Sequence, residues 1–199
     1  PLPDADQLIG RSVDGWTGGF PTALAAAPDA LVAIGMNGVE LPVRHGYPAR
    51  LVVPGLYGYV SATKWLSDLE LTRWDDYDAY WIRRGWAKSG PVKTMTRIDV
   101  PGRVVTPGTV RVAGVAWAPP RGISAVELRV DRGRWQRARC SDPLGDAVWR
   151  QWFIDVELEP GDHLLQARAL DGAGTVQPEG PRDVLPDGAE GWHWVPVLA

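Results

Sequence analysis

Cysteine, histidine and phenylalanine are scarce in this chain: one Cys, three His and two Phe among 199 residues. A single thiol, Cys140, excludes an intrachain disulfide, and without a Cys/His cluster no structural zinc site is expected. The redox compartment stays open on these grounds. Neither sign of charge dominates. Lys plus Arg is 21 and Asp plus Glu is 24, a formal net charge of −3, which excludes a strongly basic nucleic-acid footprint and gives no acidic tail. Long apolar runs are missing too: Leu31–Ile34 and Leu51–Pro54 fall far below the ~20 residues needed to span a bilayer. No Ser/His/Asp nucleophile pattern, G-x-G-x-x-G or P-loop occurs. The chain opens Pro1-Leu2-Pro3, with no initiator methionine and no signal-peptide pattern, so a fragment or processed product is expected.

What is present is glycine, proline and tryptophan, at 23, 18 and 11 residues. The first two point to a turn-rich chain. The many indoles point to packed cores with satisfied N–H groups or to a stacking surface for a flat ligand. Along the chain, Pro1–Phe20 reads as polar and Gly-rich, with Asp14-Gly15-Trp16-Thr17-Gly18-Gly19 as a turn-dense loop. Thr22–Ala27 is a helix candidate with Thr22 as N-cap, and Ala30–Met36 is a buried-strand candidate ahead of the Asn37-Gly38 turn. Further strands are predicted at Leu51–Val53 and Lys64–Thr72. An aromatic, arginine-dense stretch, Trp74–Lys88, follows.

A boundary is placed near residue 95. Residues 1–95 read as partial α/β, and residues 96–199 as all-β. Strands are predicted at Arg97–Val100, Thr109–Trp117, Ser124–Val130, Arg134–Cys140, Ala147–Leu158, His163–Leu170 and Trp192–Leu198. Val126, Leu128 and Val130 alternate with Glu127 and Arg129, the period-two pattern of a half-buried strand. Short strands with a turn every 8–12 residues are the signature of an immunoglobulin-like sandwich.

The most informative stretch is Arg44-His45-Gly46-Tyr47-Pro48-Ala49-Arg50, with Val53-Pro54-Gly55 and Thr63-Lys64-Trp65-Leu66. A guanidinium forks onto phosphate oxygens, a lysine adds a compact charge, and glycine loops let backbone N–H groups approach an anion. An anion site is one reading; solvated basic residues flanking a strand is the other. His163 is expected at the surface and His193 in the core. Asp75, Asp76 and Asp78 are expected to be a solvated run, and no metal-ligand set is assigned.

These motifs, with Asn37-Gly38 and Leu41-Pro42 ahead of them, resemble the C-terminal part of the molybdopterin domain of the sulfite oxidase family. The second half is similar to that family's dimerisation domain, through Trp135-Gln136, Trp149-Arg150-Gln151-Trp152, Arg168-Ala169-Leu170-Asp171, Val176-Gln177-Pro178 and Gly191-Trp192-His193. The resemblance implies a molybdenum-molybdopterin cofactor in the intact parent, serving two-electron oxygen-atom transfer. His45 and Arg50 match the pair that holds the phosphate tail, Thr63 and Lys64 the segment touching the cofactor, and Asp14 an aspartate near the pterin. For Asp14 an Asx turn is an equal reading.

Three departures stand beside the match. The family's metal-binding cysteine lies upstream of these motifs, whereas Cys140 lies in the β half and reads as a small core residue. Trp86, in Arg83-Arg84-Gly85-Trp86, takes the place of the active-site tyrosine and is assigned to the substrate pocket wall. The oxyanion-binding arginine has no aligned match, although Arg83, Arg84 or Arg182 could replace its charge. Sulfite is therefore not the expected substrate; a sulfoxide, an N-oxide or an oxidised side chain is.

For the parent the resemblance implies a small-molecule substrate, an electron-transfer partner and a homodimer. It also raises an extracytoplasmic, membrane-tethered parent as one expectation. The reading from a different class is a Trp-rich β-sandwich binding module with no enzymatic role.

Overall fold

The computed structural model describes residues 4–199; Pro1–Pro3, where the fragment expectation rests, lie outside the described residues. The chain forms two compact units. One ends at Val92 and also takes in Leu185–Gly188; the other comprises Lys93–Val184 and Ala189–Ala199.

The first unit contains β1 (Gln7–Ser12), β2 (Thr17–Pro21), α1 (Thr22–Ala25), β3 (Leu31–Ala33), β4 (Gly35–Met36), β5 (Val39–Glu40), β6 (Arg50–Val52), α2 (Gly58–Ser61) and β7 (Leu66–Thr72). Its main sheet has the antiparallel order β2-β1-β7. Of the loop expected at Asp14–Gly19, Thr17–Gly19 lie in β2, and the turn shrinks to Val13–Trp16, closed by the Trp16 carbonyl accepting from Ser12 N–H at 2.9 Å. The glycines misled because here they mark close approach rather than turning. A Cβ on Gly10 would stand 2.5 Å from Thr63 Oγ1 and 3.3 Å from Leu51 Cδ2.

The partial α/β expectation for this half finds only loose support: the unit is mostly β-sheet, and both helices are four residues long, too short to be held by their own hydrogen bonds. Two further expectations are corrected. Thr22 is not the N-cap but the first helical residue, and α1 buries none of its side chains. The apolar run Ala30–Met36 is not one buried strand either. It breaks at Ile34, with β3 pairing β6 and β4 pairing β5 across Asn37-Gly38. Both turn residues have positive φ, 54° and 81°, as a two-residue hairpin requires. Leu31 is 48% and Ile34 72% exposed.

The second unit contains β8 (Met95–Val100), β9 (Gly108–Trp117), β10 (Ile123–Val130), β11 (Gln136–Arg137), β12 (Arg139–Cys140), β13 (Arg150–Leu158), β14 (Asp162–Asp171) and β15 (His193–Leu198). They form two antiparallel four-stranded sheets, β11-β10-β14-β15 and β12-β13-β9-β8. Alternate residues of both sheets meet in one core that includes Val112, Val126, Leu128, Trp152, Leu165 and Val197. The expected strand Arg134–Cys140 splits at buried Ala138, whose N–H donates to Val126 C=O at 2.9 Å, and its two halves join different sheets.

Side chains from the family-like motifs act as fasteners here. Gln177 accepts from Ala169 N–H at 3.1 Å and donates to Gly191 C=O at 2.7 Å. Asp171, 2% exposed, accepts from Arg121 Nε at 2.8 Å and from the amides of Ala173 and Thr175. Burial works to raise its carboxyl, but these donors outweigh it and hold the group below the usual carboxylate value.

His193 accepts from Ile98 N–H at 3.1 Å through Nδ1, and burial, with Arg97 nearby, lowers its pKa. His163 is not the open surface residue expected. Its side chain is 14% exposed and sits between Asp131 and Glu159.

Candidate cofactor-anchoring site

Between Leu41 and Leu66 the chain carries Arg44, His45, Arg50 and Lys64 and no acidic residue. Local folding gathers these side chains. A 3-10 turn, Val43–His45, ends at Gly46 with φ 113°, a left-handed conformation that suits glycine. A Cβ on Gly46 would lie 3.1 Å from Arg50 Cβ and from Lys64 Cα and Cβ, so a glycine here is what lets the 43–50 and 63–66 segments touch. The two are clasped by backbone bonds, Trp65 N–H to Gly46 C=O at 3.3 Å and Leu66 N–H to Ala49 C=O at 2.9 Å. Trp65 Nε1 donates to Val43 C=O at 2.8 Å, and Lys64 Nζ to Arg44 C=O at 3.3 Å.

Arg50 opens β6 and is half-buried. One terminal nitrogen reaches His45 C=O at 3.5 Å. Its Nε is buried with no hydrogen-bond partner, a state native structures rarely leave uncompensated. A buried guanidinium N–H beside a half-buried His45 and Lys64, in a stretch without acids, has the donor chemistry for phosphate oxygens.

Next to this clasp is a cavity of about 200 Å³ lined by Ser12, Asp14, Trp16, Ala62, Lys64 and Trp65. Asp14 sits on the β1–β2 turn, tied in by Val13 N–H donating to Trp65 C=O at 3.1 Å. Its Oδ1 accepts from Trp16 N–H at 3.0 Å, which is the Asx turn read from sequence, and the same carboxylate lines the cavity. The Trp16 amide, then the Ser12 hydroxyl, with Lys64 adding attraction, lower its pKa, so at neutral pH it is an acceptor only.

The structure therefore brings Asp14 and Lys64 to one cavity, with His45 and Arg50 on the adjoining clasp. Thr63 stands behind the wall: it is 0% exposed, and its hydroxyl donates to Gly10 C=O at 3.4 Å. Trp86 is not among the cavity's lining residues; it packs on Tyr59 at 4.6 Å and Trp81 at 5.8 Å between ring centroids. Burial, with Asp187 adding repulsion, raises the Tyr59 hydroxyl above its usual value, and that hydroxyl donates to Ala87 C=O at 2.9 Å.

The three arginines that could replace the missing charge are engaged. Arg83 donates to Asp78 C=O, Arg84 to Tyr80 C=O, and Arg182 pairs with Glu190. Ser12, Trp16 and Trp65 were missed from sequence. Trp65 had stood only as part of the Thr63–Leu66 motif and Trp16 as part of the Asp14–Gly19 turn, and Ser12 had no signal beyond nearness to Asp14. Cys140 lies on β12 opposite Trp152, half-buried against the core of the second unit. Among the described residues no group of three His, Cys, Asp or Glu is placed to hold a metal ion, and no helix is long and apolar enough to cross a membrane. Of the tryptophans, Trp149 and Trp194 are the exposed ones. Others pack on arginines, as Trp135 and Trp192 do on Arg129 and Arg168.

Residues 2–81 match the oxidoreductase molybdopterin binding domain. Over 89% of the chain the sequence is 34% identical to sulfite oxidase of Gallus gallus, covering 46% of that protein. It is 29% identical to mitochondrial sulfite oxidase of Homo sapiens, covering 38% of it. The fold is similar to that of the sulfane dehydrogenase SoxCD from Paracoccus pantotrophus, with a TM-score of 0.73 at 26% identity, over 89% of this chain and 49% of that one. The chain thus spans about half the length, or less, of the relatives it matches. These matches imply a molybdenum-molybdopterin cofactor, and the chain belongs to the sulfite oxidase family of molybdopterin-dependent oxidoreductases.

Proposed function

We propose that this chain is the C-terminal part of a longer molybdopterin-dependent oxidoreductase, with His45, Arg50 and Lys64 anchoring the phosphate of the cofactor and Asp14 facing its ring system. The observation that carries this reading is the buried, unpartnered Nε of Arg50. It is an unanswered donor at the point where the Gly46 cradle gathers the cations. The residues present fit the phosphate end of the group. They do not supply its thiolate ligand, because Cys140 belongs to the second unit. When bound, the group supplies oxygen-atom transfer at molybdenum. This chain's part is to hold and orient it: the guanidinium forks onto phosphate, the Lys64 ammonium neutralises charge, and the Asp14 carboxylate accepts N–H donors. The second unit is read as an immunoglobulin-like dimerisation domain, supported by its two four-stranded sheets around one core.

The substrate proposed is a sulfoxide, an N-oxide or an oxidised side chain rather than sulfite. Trp86 offers a donor-only indole; Arg182 is ion-paired with Glu190, and Arg83 and Arg84 are tied to the backbone carbonyls of Asp78 and Tyr80. Efficient sulfite turnover by the metal-loaded intact protein, set against a sulfoxide panel, would overturn this substrate assignment.

The anchoring role is tested by pterin and molybdenum content of the intact protein. Arg50→Ala should weaken retention about 10- to 100-fold, as the loss of a charge-assisted hydrogen bond of ~1.5–3 kcal/mol does. Arg50→Lys, which keeps the charge and loses the fork, should recover only part. Wild-type content in both variants would refute the assignment.

A further inference from the structure

Among the described residues, the non-glycine residues with positive φ are Asn37, Trp65, Asp131 and Arg132. Asn37 lies in the β4–β5 turn, and Asp131 and Arg132 lie in the turn that follows β10. Trp65, at φ 50°, lies in no such turn; it is the residue directly before β7. A bulky aromatic in the left-handed region is an outlier that persists only where its surroundings hold it, and such residues cluster at functional sites. What holds Trp65 is the site itself. Its N–H donates to Gly46 C=O at 3.3 Å and its C=O accepts from Val13 N–H at 3.1 Å, so one residue ties the Gly46 clasp to the turn that carries Asp14. Its Nε1 donates to Val43 C=O at 2.8 Å. The Lys64 ammonium stands 4.7 Å from the centre of the ring, within the range of a cation–π attraction. Lys64 and Trp65 line the cavity together with Asp14.

We propose that Trp65 is the positioning residue of the anchoring site: its indole holds the Lys64 ammonium at the cavity that Asp14 also lines. The inference rests on the reading of Lys64 as a phosphate anchor and deepens it, since it says what aims that side chain. A lysine is a compact charge on a flexible stem, and fixing it costs rotamer freedom. A ring on one side of the ammonium and the Arg44 carbonyl at 3.3 Å restrict it before any anion arrives, which is preorganisation of the site. The indole acts through Lys64 and is assigned no contact with the ligand. Glycine at position 65 keeps the left-handed backbone accessible, so Trp65→Gly separates the role of the indole from that of the chain path.

Two measurements test this. In the 199-residue chain without cofactor, the ε-methylene protons of Lys64, identified by their loss in Lys64→Met, should resonate upfield of the usual lysine position, shielded by the indole. Trp65→Gly should return them to that position, and Trp65→Phe, which keeps a ring, should retain part of the shift. An unshifted Lys64 in the unsubstituted chain would overturn the proposal. In the intact protein, Trp65→Gly should lower pterin and molybdenum retention about tenfold, and Trp65→Phe should restore part of it. Because the indole acts through Lys64, adding Trp65→Gly to Lys64→Met should lower retention by no more than about threefold beyond Lys64→Met alone. Losses that multiply would mean that the indole acts independently of Lys64, and they would overturn the proposal, as would wild-type retention in Trp65→Gly. If Lys64→Met itself keeps wild-type content, the anchoring reading fails, and the proton shift still decides whether Trp65 holds Lys64.

Discussion

Among the described residues, the second unit gathers sixteen buried residues into one core, whereas a cluster in the first unit holds Phe20, Leu51 and Val53. Two sheets that face each other bury alternate residues from both sides, and burial of each large side chain contributes ~1.5–3 kcal/mol. The first unit instead has one three-stranded sheet, two short pairings and loops. Its side chains are arranged around a clasp of cations and a cavity rather than around themselves. The second unit thus concentrates its apolar burial in one place, and the first spreads its buried residues among a sheet, two pairings and loops.

That contrast can be broken with one core substitution. Leu165→Ala, at 0% exposure in β14, removes apolar volume from the core of the second unit and should cost ~2–5 kcal/mol. In urea melts followed by tryptophan fluorescence, the chain should lose structure in two steps, and only the later one should move. A single step that shifts as a whole would mean that the two regions share one cooperative fold, and the contrast would fail.

The site is sharpened by a neighbouring pair. Lys64→Met in the intact protein should reduce cofactor retention by about tenfold or more, because a charged partner of phosphate is lost. Thr63→Val should leave retention unchanged and cost about 1 kcal/mol or less, since its buried hydroxyl makes one long bond to Gly10 C=O at 3.4 Å. Equal loss of cofactor in both would show that Thr63 acts at the cofactor and not behind the wall.

Thr63 also shows where sequence ran short. Motif spacing marks Thr63 and Lys64 together, but which side chain faces the cavity is set by the close approach of Gly10, a packing fact no local pattern contains. Long strands with clean alternation, such as β9, β10 and β14, were legible because each repeats its signal over eight to ten residues. β1 and β2 were not, because Gly10, Gly18 and Gly19 erase the alternation exactly where packing demands no side chain. Ala30–Met36 was read as buried because it is apolar; its exposure reflects what packs over it, which a local run of residues does not encode. His45 and Arg50 stood out in sequence as an imidazole and a guanidinium near glycine, whereas the unpartnered Nε of Arg50 required coordinates.

The smallest expected effect belongs to the second unit and follows pH. Both ring nitrogens of His163 face acceptors, Asp131 Oδ2 at 2.5 Å and Glu159 C=O at 2.8 Å, and only the imidazolium has an N–H for each. The Glu159 carbonyl first, then Asp131, with Asp162 nearby, raise its pKa above 6.5. Its stabilisation is therefore complete below 6.5 and is lost as pH rises through the folded value. Burial pushes the Asp131 carboxyl up, but the Leu164 amide and His163 outweigh it and hold it below 3.8. That contribution is present above 3.8 and is lost as pH falls through the folded value. The pair thus stabilises between these limits, by at most about 1 kcal/mol, because Asp131 is 47% exposed and screened by solvent. His163→Gln should lower the urea midpoint most near pH 5–6, with the difference from wild type shrinking as pH is raised. A difference that stays constant up to alkaline pH would show that His163 acts by packing alone, and the second unit would then owe nothing to this pair's charge.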